Sequence, residues 1–230
     1  MSKIIAVVGY GPGISSAVAE KFGAEGFSVA LVARSGERLA EAVRALGAKG
    51  VTAAAFPADA GDPSAIRAAI AKVRAELGAI TVVHWNAISG RDAGDLLTAD
   101  DAMVGAIFDV AVTGLLAAVQ EALPALKSAK DSAVLVTNGA FGDDTPQMDG
   151  LAVGLKSMGV ALANAAKRKL VGLLAQALAG EGIYVGEVTV AGIIKGTDWD
   201  DGSGNIEASR VADTFWSLYQ ARGDIRARVS

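Results

Sequence analysis

"VVGYGPGISSAVAEKF", residues 7–22, decides the fold. An apolar run ends in three closely spaced glycines, Gly9, Gly11 and Gly13, and a helical pattern starts straight after them. Glycine lets a backbone come close to a phosphate. The helix that follows offers free N–H groups and a partial positive charge at its first turn, here opened by Ile14 and Ser15. The pattern G-x-G-x-x-G fails because Ile14 stands where its third glycine belongs. The pattern G-x-x-x-G-x-G is met by Gly9 and Gly13, with Ser15 in the third place. Placed between a strand and a helix, such a turn predicts a nucleotide pyrophosphate site.

The rest of the chain repeats this strand–helix alternation. Strands are predicted over Ile4–Val8, Ser28–Val32, Val51–Phe56, Ile80–His84, Ala133–Thr137, Ile183–Val190 and Ile225–Val229. Helices are predicted over Pro12–Ala24, Glu37–Leu46, Pro63–Leu77 (capped by Asp62), about 102–126, an Ala-rich stretch ending near Leu178, and Ala208–Gln220. The alternation predicts an α/β fold, a doubly wound, Rossmann-like parallel sheet of order 3-2-1-4-5-6 with a seventh strand at the edge. No linker or repeat divides residues 1–230, so one domain is expected. Ligands in such sheets bind at the carboxyl ends of the strands where the order reverses, beside strand one.

The second strand indicates which dinucleotide is bound. An acidic residue at its end would take the ribose 2′-hydroxyl of NAD, but "LVARSGERL" places Ala33 there and Arg34 next. A guanidinium pairs bidentately with a 2′-phosphate, so NADP(H) is expected over NAD(H), with Ser35 and Arg38 assisting.

Composition excludes several classes. Hydrophobic residues make up 52 % of the chain and aromatics 5 %, so the core is built of Ala, Val, Leu and Ile. The net charge of −4, with Lys167-Arg168-Lys169 the one dense basic run, excludes a nucleic-acid face. With no cysteine and one histidine, His84, no metal site is expected. No signal peptide and no charge-free membrane-length stretch is read, giving a cytoplasmic expectation with no membrane partner.

Three further segments, with the glycine turn, resemble the short-chain dehydrogenase/reductase superfamily over nearly the whole chain. "GYGPGIS" stands at its glycine loop. "FPADAGD" resembles the adenine-contacting segment and implies Asp59 and Ala60. "HWNAIS" resembles the segment after strand four and implies Trp85, Asn86, Ala87 and Ile88. "VAGIIKGT" resembles the segment that flanks the nicotinamide and implies Gly192, Ile194 and Thr197. In that family an Asn, a Ser, a Tyr and a Lys do the chemistry: the Tyr exchanges a proton with the substrate oxygen, the Ser binds that oxygen, the Asn supports a proton relay, and the Lys holds the ribose and lowers the Tyr pKa.

This sequence departs from that set. "FDVAVTG" puts Ala111 in the place of Asn, and "VLVTNGAFG" puts Gly139 in the place of Ser. Two lysines compete. "ANAAKRKLVGLLAQAL" resembles the active-site helix and nominates Lys167; "LAVGLKSMG" keeps the usual distance from strand five and nominates Lys156. Four residues earlier stand Ala163 and Ala152, and the three tyrosines, Tyr10, Tyr184 and Tyr219, all lie elsewhere. Lys167 is the catalytic candidate, an electrophile for a developing oxyanion, and a cofactor contact; Lys156 is the alternative. His84 is a possible proton shuttle, although a satisfied core histidine fits it better. Thr137, Asn138, Asp143 and Asp144 are candidates for facing a substrate.

The expectation is therefore an atypical NADP(H)-dependent oxidoreductase acting on an unknown small carbonyl or alcohol, with a non-catalytic dinucleotide sensor or partner subunit as the alternative. The apolar helices over 104–126 and 151–180 imply a homodimer or homotetramer. The segment "IIKGTDWDDGSGNIEA", where a lid belongs, is short and polar, which predicts an open cleft.

Overall fold

A computed structural model describes residues 3–230. In chain order the elements are β1 (Ile4–Val8), α1 (Ile14–Ala24), β2 (Ser28–Ala33), α2 (Gly36–Ala48), β3 (Ala53–Pro57), α3 (Pro63–Glu76), β4 (Ile80–Trp85), α4 (Asp101–Phe108), α5 (Leu115–Ser128), β5 (Ala133–Gly139), α6 (Pro146–Gly154), α7 (Met158–Leu178), β6 (Tyr184–Val190), α8 (Ala208–Ala221) and β7 (Arg226–Val229). The strands form one seven-stranded sheet of order β3-β2-β1-β4-β5-β6-β7, as predicted. Every pairing is parallel. Both faces are covered, so β1 and β4 are buried along their whole length and read as unbroken apolar runs.

One face of the sheet carries α1, α2 and α8, packed through Val18, Phe22, Leu39, Val211 and Phe215 onto Ile5, Val7, Leu31 and Val188. The opposite face carries α3, α5 and α7, packed through Ile70, Leu115, Leu126 and Val171 onto Val8, Val83, Val134 and Val136. The Asp62 cap forms as read: its Oδ1 accepts from the Ser64 and Ala65 N–H groups at 2.8 and 3.1 Å, with Pro63 in the first turn.

Two helical regions differ from the expectation. The single helix expected over 102–126 is divided into α4, a π-helical turn over Asp109–Gly114, and α5. Gly114 lies so close to a neighbour that a Cβ there would sit 2.1 Å from the Ala60 carbonyl oxygen, and the Thr113 hydroxyl donates back to the Asp109 carbonyl at 3.0 Å. Both features pull the backbone out of regular α geometry. An 18-residue window of the Asp101–Ser128 run reaches the mean hydropathy, 2.1, of a membrane-crossing segment, but Asp109 and Glu121 interrupt the run, so it is not a charge-free stretch. It is a core helix: Leu115, Ala118, Ala122 and Leu126 are buried against the sheet. The second difference is α6, a separate helix before α7, begun by Pro146 and capped by Thr145, whose hydroxyl accepts from the Met148 N–H at 3.3 Å.

Candidate functional site

The glycine turn lies where β1 and β4 are neighbours, the point of order reversal. Gly9 has φ 82°, and a Cβ on it would lie 2.4 Å from the Ala87 nitrogen, so only glycine lets the end of β1 touch the end of β4. Asn86 completes that seam. Its N–H donates to the Val8 carbonyl at 2.8 Å and its Nδ2 to the Gly9 carbonyl at 3.4 Å. Gly9 and Tyr10 both donate to the Val32 carbonyl, tying the turn to β2. Gly13, φ 91°, precedes α1 with no side-chain cap, so the Ile14 end of the helix keeps unpaired N–H groups. Gly11 faces open space. Ser15 is corrected in role: it is fully buried, and its hydroxyl accepts from the Gly11 N–H at 2.9 Å and donates to the Gly11 carbonyl at 3.0 Å, bracing the loop from within.

At the end of β2, Arg34 and Arg38 are exposed, and among the described residues neither makes an ion pair. Ser35 caps α2, accepting from the Arg38 N–H at 3.3 Å. Asp59 accepts from the Gly61 N–H at 2.9 Å, and Ala60 packs its carbonyl against Gly114. The open glycine turn, the uncapped helix and two unpaired guanidinium groups fit a phosphorylated dinucleotide.

At the end of β5 the polar groups engage one another. Lys167, on α7, is buried, and its Nζ donates to the Thr137 carbonyl at 3.1 Å. Burial pushes its pKa down to about 8, partly offset by the Glu187 carboxylate. Lys156 is exposed in the turn between α6 and α7 with φ 51°, away from this strand end. The structure thus brings Lys167, and not Lys156, to the cleft. The Thr137 hydroxyl faces the opposite layer and lies 3.1 Å from His84 Nε2. Asn138 uses both ends of its amide, donating to the Asn164 carbonyl at 3.0 Å and accepting from the Gly139 N–H at 3.1 Å. Neither Thr137 nor Asn138 is a free contact for a substrate. Ala163 and Ala111 are buried. Asn164, passed over in the sequence, sits against Gly139: a Cβ on Gly139 would be 2.6 Å from its Nδ2. Its signal was a lone polar residue inside the apolar run "ALANAA".

His84 is wholly buried, stacked edge-on against Phe215 at 4.9 Å, with its pKa driven down to about 3 by burial. It is a neutral core histidine. Trp85 is fully buried and packs against Gly114. Asp143 pairs with Arg168 at 3.1 Å and Arg228 at 2.7 Å. Together with Asp144 it lines a groove between α6 and α7, on the side of α7 away from Lys167. Tyr10 is in the glycine turn, Tyr184 donates to the Asp224 carbonyl, and Tyr219 packs among Phe22, Phe27 and Trp216.

The segment after β6 is folded. Ile194 pairs with Ile206, and the Asp200 carboxylate accepts from Gly196, Gly202 and Gly204, which holds its pKa below the usual carboxylate range. A Cβ on Gly192 would meet Asn205, whose Oδ1 accepts from the Ile193 N–H at 3.0 Å. Thr197 donates to the Ile194 carbonyl at 2.8 Å and lays its methyl over Gly13. Further on, the Trp199 ring lies under the Arg91 guanidinium at 4.1 Å. Arg91 follows β4 and Trp199 follows β6, so their contact joins the loops after these two strands. Ile88, in the β4 loop, is half exposed.

Comparison with known proteins gives the frame. A short chain dehydrogenase from Burkholderia cenocepacia J2315, solved in complex with NADP, superposes with a TM-score of 0.85 at 26 % identity, over 99 % of this chain and 96 % of that one. L-sorbose reductase from Gluconobacter frateurii, complexed with NADPH and L-sorbose, gives 0.86 at 21 %, over 100 % and 95 %. An NADPH-bound short chain oxidoreductase from Pseudomonas aeruginosa PAO1, described as containing an atypical catalytic center, gives 0.86 at 21 %, over 99 % and 95 %. Among curated proteins, 2,3-dihydro-2,3-dihydroxybenzoate dehydrogenase of Bacillus subtilis (strain 168) is 37 % identical over 81 residues, 35 % of this chain and 31 % of that protein's length. The glycine turn at the order reversal, the seven-stranded parallel sheet and the match of residues 3–203 to the family's own pattern agree: this chain belongs to the short chain dehydrogenase family.

Proposed function

We propose that this protein is an NADP(H)-dependent oxidoreductase acting on a small carbonyl or alcohol, and that Lys167 takes on the proton transfer that the family resemblance gives to a tyrosine. The observation that carries the reading is the buried Lys167 ammonium at the end of β5, beside the sheet's point of order reversal. By resemblance the Asn, Ser and Tyr places fall on Ala111, Gly139 and Ala163, none of which has a side chain that exchanges a proton. The atypical center described for the Pseudomonas protein supports the idea that this fold tolerates such a change.

When bound, the dinucleotide supplies hydride. Gly9, Gly11, Gly13, Ile14, Asp59, Ala60, Asn86, Ala87, Gly192, Ile194 and Thr197 form the wall against which it would lie, and Arg34 with Ser35 would meet its 2′-phosphate. Lys167 donates one of its three N–H bonds to Thr137, leaving two for the ribose and the substrate oxygen. With a pKa of about 8 it is charged at neutral pH and acidic enough to release a proton to an alkoxide. Copies are further proposed to pair through the helices that expose Phe108, Leu151, Val153, Leu155 and Leu173.

The test is calorimetric titration of NADPH and NADH, followed by NADPH oxidation with a panel of small carbonyls across pH. Tight NADPH binding and turnover that falls as pH rises through about 8 support the reading. Tight binding without turnover favours the sensor reading, and no binding removes both.

A further inference from the structure

Asn164 is 2 % exposed, and its Oδ1 is buried with no hydrogen-bond partner. Among the described residues its side chain donates no hydrogen bond either. An unpaired buried carboxamide is unfavourable and calls for a physical reason. The placement is tightly built. A Cβ on Gly139 would stand 2.6 Å from Asn164 Nδ2, and one on Gly142 would stand 2.9 Å from Asn164 Cβ. Two glycines therefore admit this face of α7 to the end of β5. Asn138 fixes the approach, bonding the Asn164 carbonyl and the Gly139 N–H with the two ends of its amide. Lys167 lies three residues along the same helix, on a neighbouring position of the same face, with its ammonium on the residue two before Gly139. The Asn164 amide, against Gly139, and the buried Lys167 ammonium, on the Thr137 carbonyl, thus both lie at the end of β5.

We infer that Asn164 is a catalytic residue whose Nδ2 donates to the substrate oxygen beside Lys167; this rests on the oxidoreductase reading above. In the reducing direction the carbonyl carbon gains a hydride from the reduced nicotinamide, which is thereby oxidised, and the C=O π pair moves onto oxygen. That oxygen accepts from Asn164 Nδ2 and from the Lys167 ammonium. Lys167 then gives it a proton, leaving an alcohol and a neutral lysine that water reprotonates. A preset donor aimed at developing oxyanion charge needs no reorganisation during the step.

The test uses the full chain with NADPH and 2,3-butanedione as probe, reading kcat, KM and NADPH affinity. Asn164→Asp keeps the shape and loses the donor; Asn164→Ala removes the side chain. Both are expected to lower kcat by about 10- to 100-fold while NADPH affinity stays within about twofold. Gly139→Ser added to Asn164→Ala places a hydroxyl donor in the vacated space and is expected to restore about tenfold of the loss. Turnover by both single variants within about twofold of wild type, or a double variant no faster than Asn164→Ala, overturns the inference. Wild type that binds NADPH yet leaves 2,3-butanedione unreduced overturns it too. Failure of NADPH to bind shows that the underlying dinucleotide reading has failed first.

Discussion

The two ends of the cleft are built on opposite terms. Around β1 and β2 the ligand-facing groups are backbone N–H groups, open glycine and two unpaired guanidinium groups, all free to receive a phosphate. Around β5 several polar groups are already engaged, Thr137 with His84 and Lys167, Asn138 with Asn164 and Gly139, Asp143 with two arginines, while the Asn164 Oδ1 is left unpaired. Recognition by backbone survives side-chain drift, because any residue supplies an N–H. Chemistry by side chain does not. Asn164 lies over Gly139 so closely that a Cβ there would stand 2.6 Å from its Nδ2.

The sharpest way to break this contrast is Lys167→Met. Loss of turnover by about 10²- to 10³-fold is expected in a carbonyl-reduction assay, in the range of one lost oxyanion donor, with NADPH still bound. Stability should move the other way. The folded pKa of about 8 lies below the unfolded 10.5, so wild-type stability rises with pH across that window as the buried charge is relieved. Removing the lysine is expected to raise stability at pH 7 by on the order of 2 kcal/mol, with a melting temperature that no longer climbs from pH 8 to 10. A variant that melts lower at pH 7 and stays active would show that the ammonium is structural.

At the recognition end, Gly9→Ala tests whether the backbone itself carries the site. It forces a positive-φ alanine and a Cβ 2.4 Å from the Ala87 nitrogen. A loss of about 2 kcal/mol or more is expected in urea unfolding, with NADPH binding lost in step. Retained binding would mean that the seam between β1 and β4 is softer than its contacts imply.

Much of this was legible because it depends on local rules. The parallel strands showed as apolar runs, and the Asp62–Pro63 start of α3 and the glycine turn showed as short motifs. What escaped was set by tertiary contact. The π turn at Asp109–Gly114 answers to Ala60, fifty residues away in the chain, and a helical period cannot report it. The engaged state of Thr137 and Asn138 depends on His84 and α7. The folding of the polar lid rests on Asp200 gathering three glycine N–H groups, a local device hidden in a composition that reads as open loop. Lys167 and Lys156 were separable only once α6 was seen to occupy the intervening length.

His84 sharpens the reading of the engaged end, because it is buried neutral beside Thr137. Its folded pKa of about 3 lies below the unfolded value of 6.5, so stability is full above pH 6.5 and falls as pH drops toward 3. The slope from this one site is about 1.4 kcal/mol per pH unit in that window. His84→Leu is expected to flatten it in thermal melts between pH 6 and 4.5, while leaving NADPH affinity unchanged. An unaltered slope would assign acid lability to other groups. Arg34→Ala comes next in size. It should weaken NADPH by about tenfold and leave NADH untouched, the outcome expected of the proposed pairing of this guanidinium with the 2′-phosphate. Equal weakening of both would place Arg34 on a shared part of the dinucleotide.

The smallest effect is expected at the ring contact that joins the loops after β4 and β6. The Arg91 guanidinium over Trp199 is an exposed cation–π pair, worth about 0.5–1 kcal/mol. Arg91→Ala removes the cation without touching either wall of the cleft. Because the pair links the loops after β4 and β6 and no buried core residue depends on it, global stability should stay within about 0.5 kcal/mol. The loop crossing should instead open more often. NADPH release measured by stopped flow is then expected to quicken by about twofold to fivefold, with the association rate little changed. If release is unchanged, the crossing leaves the dinucleotide free to depart and bears on the substrate side alone.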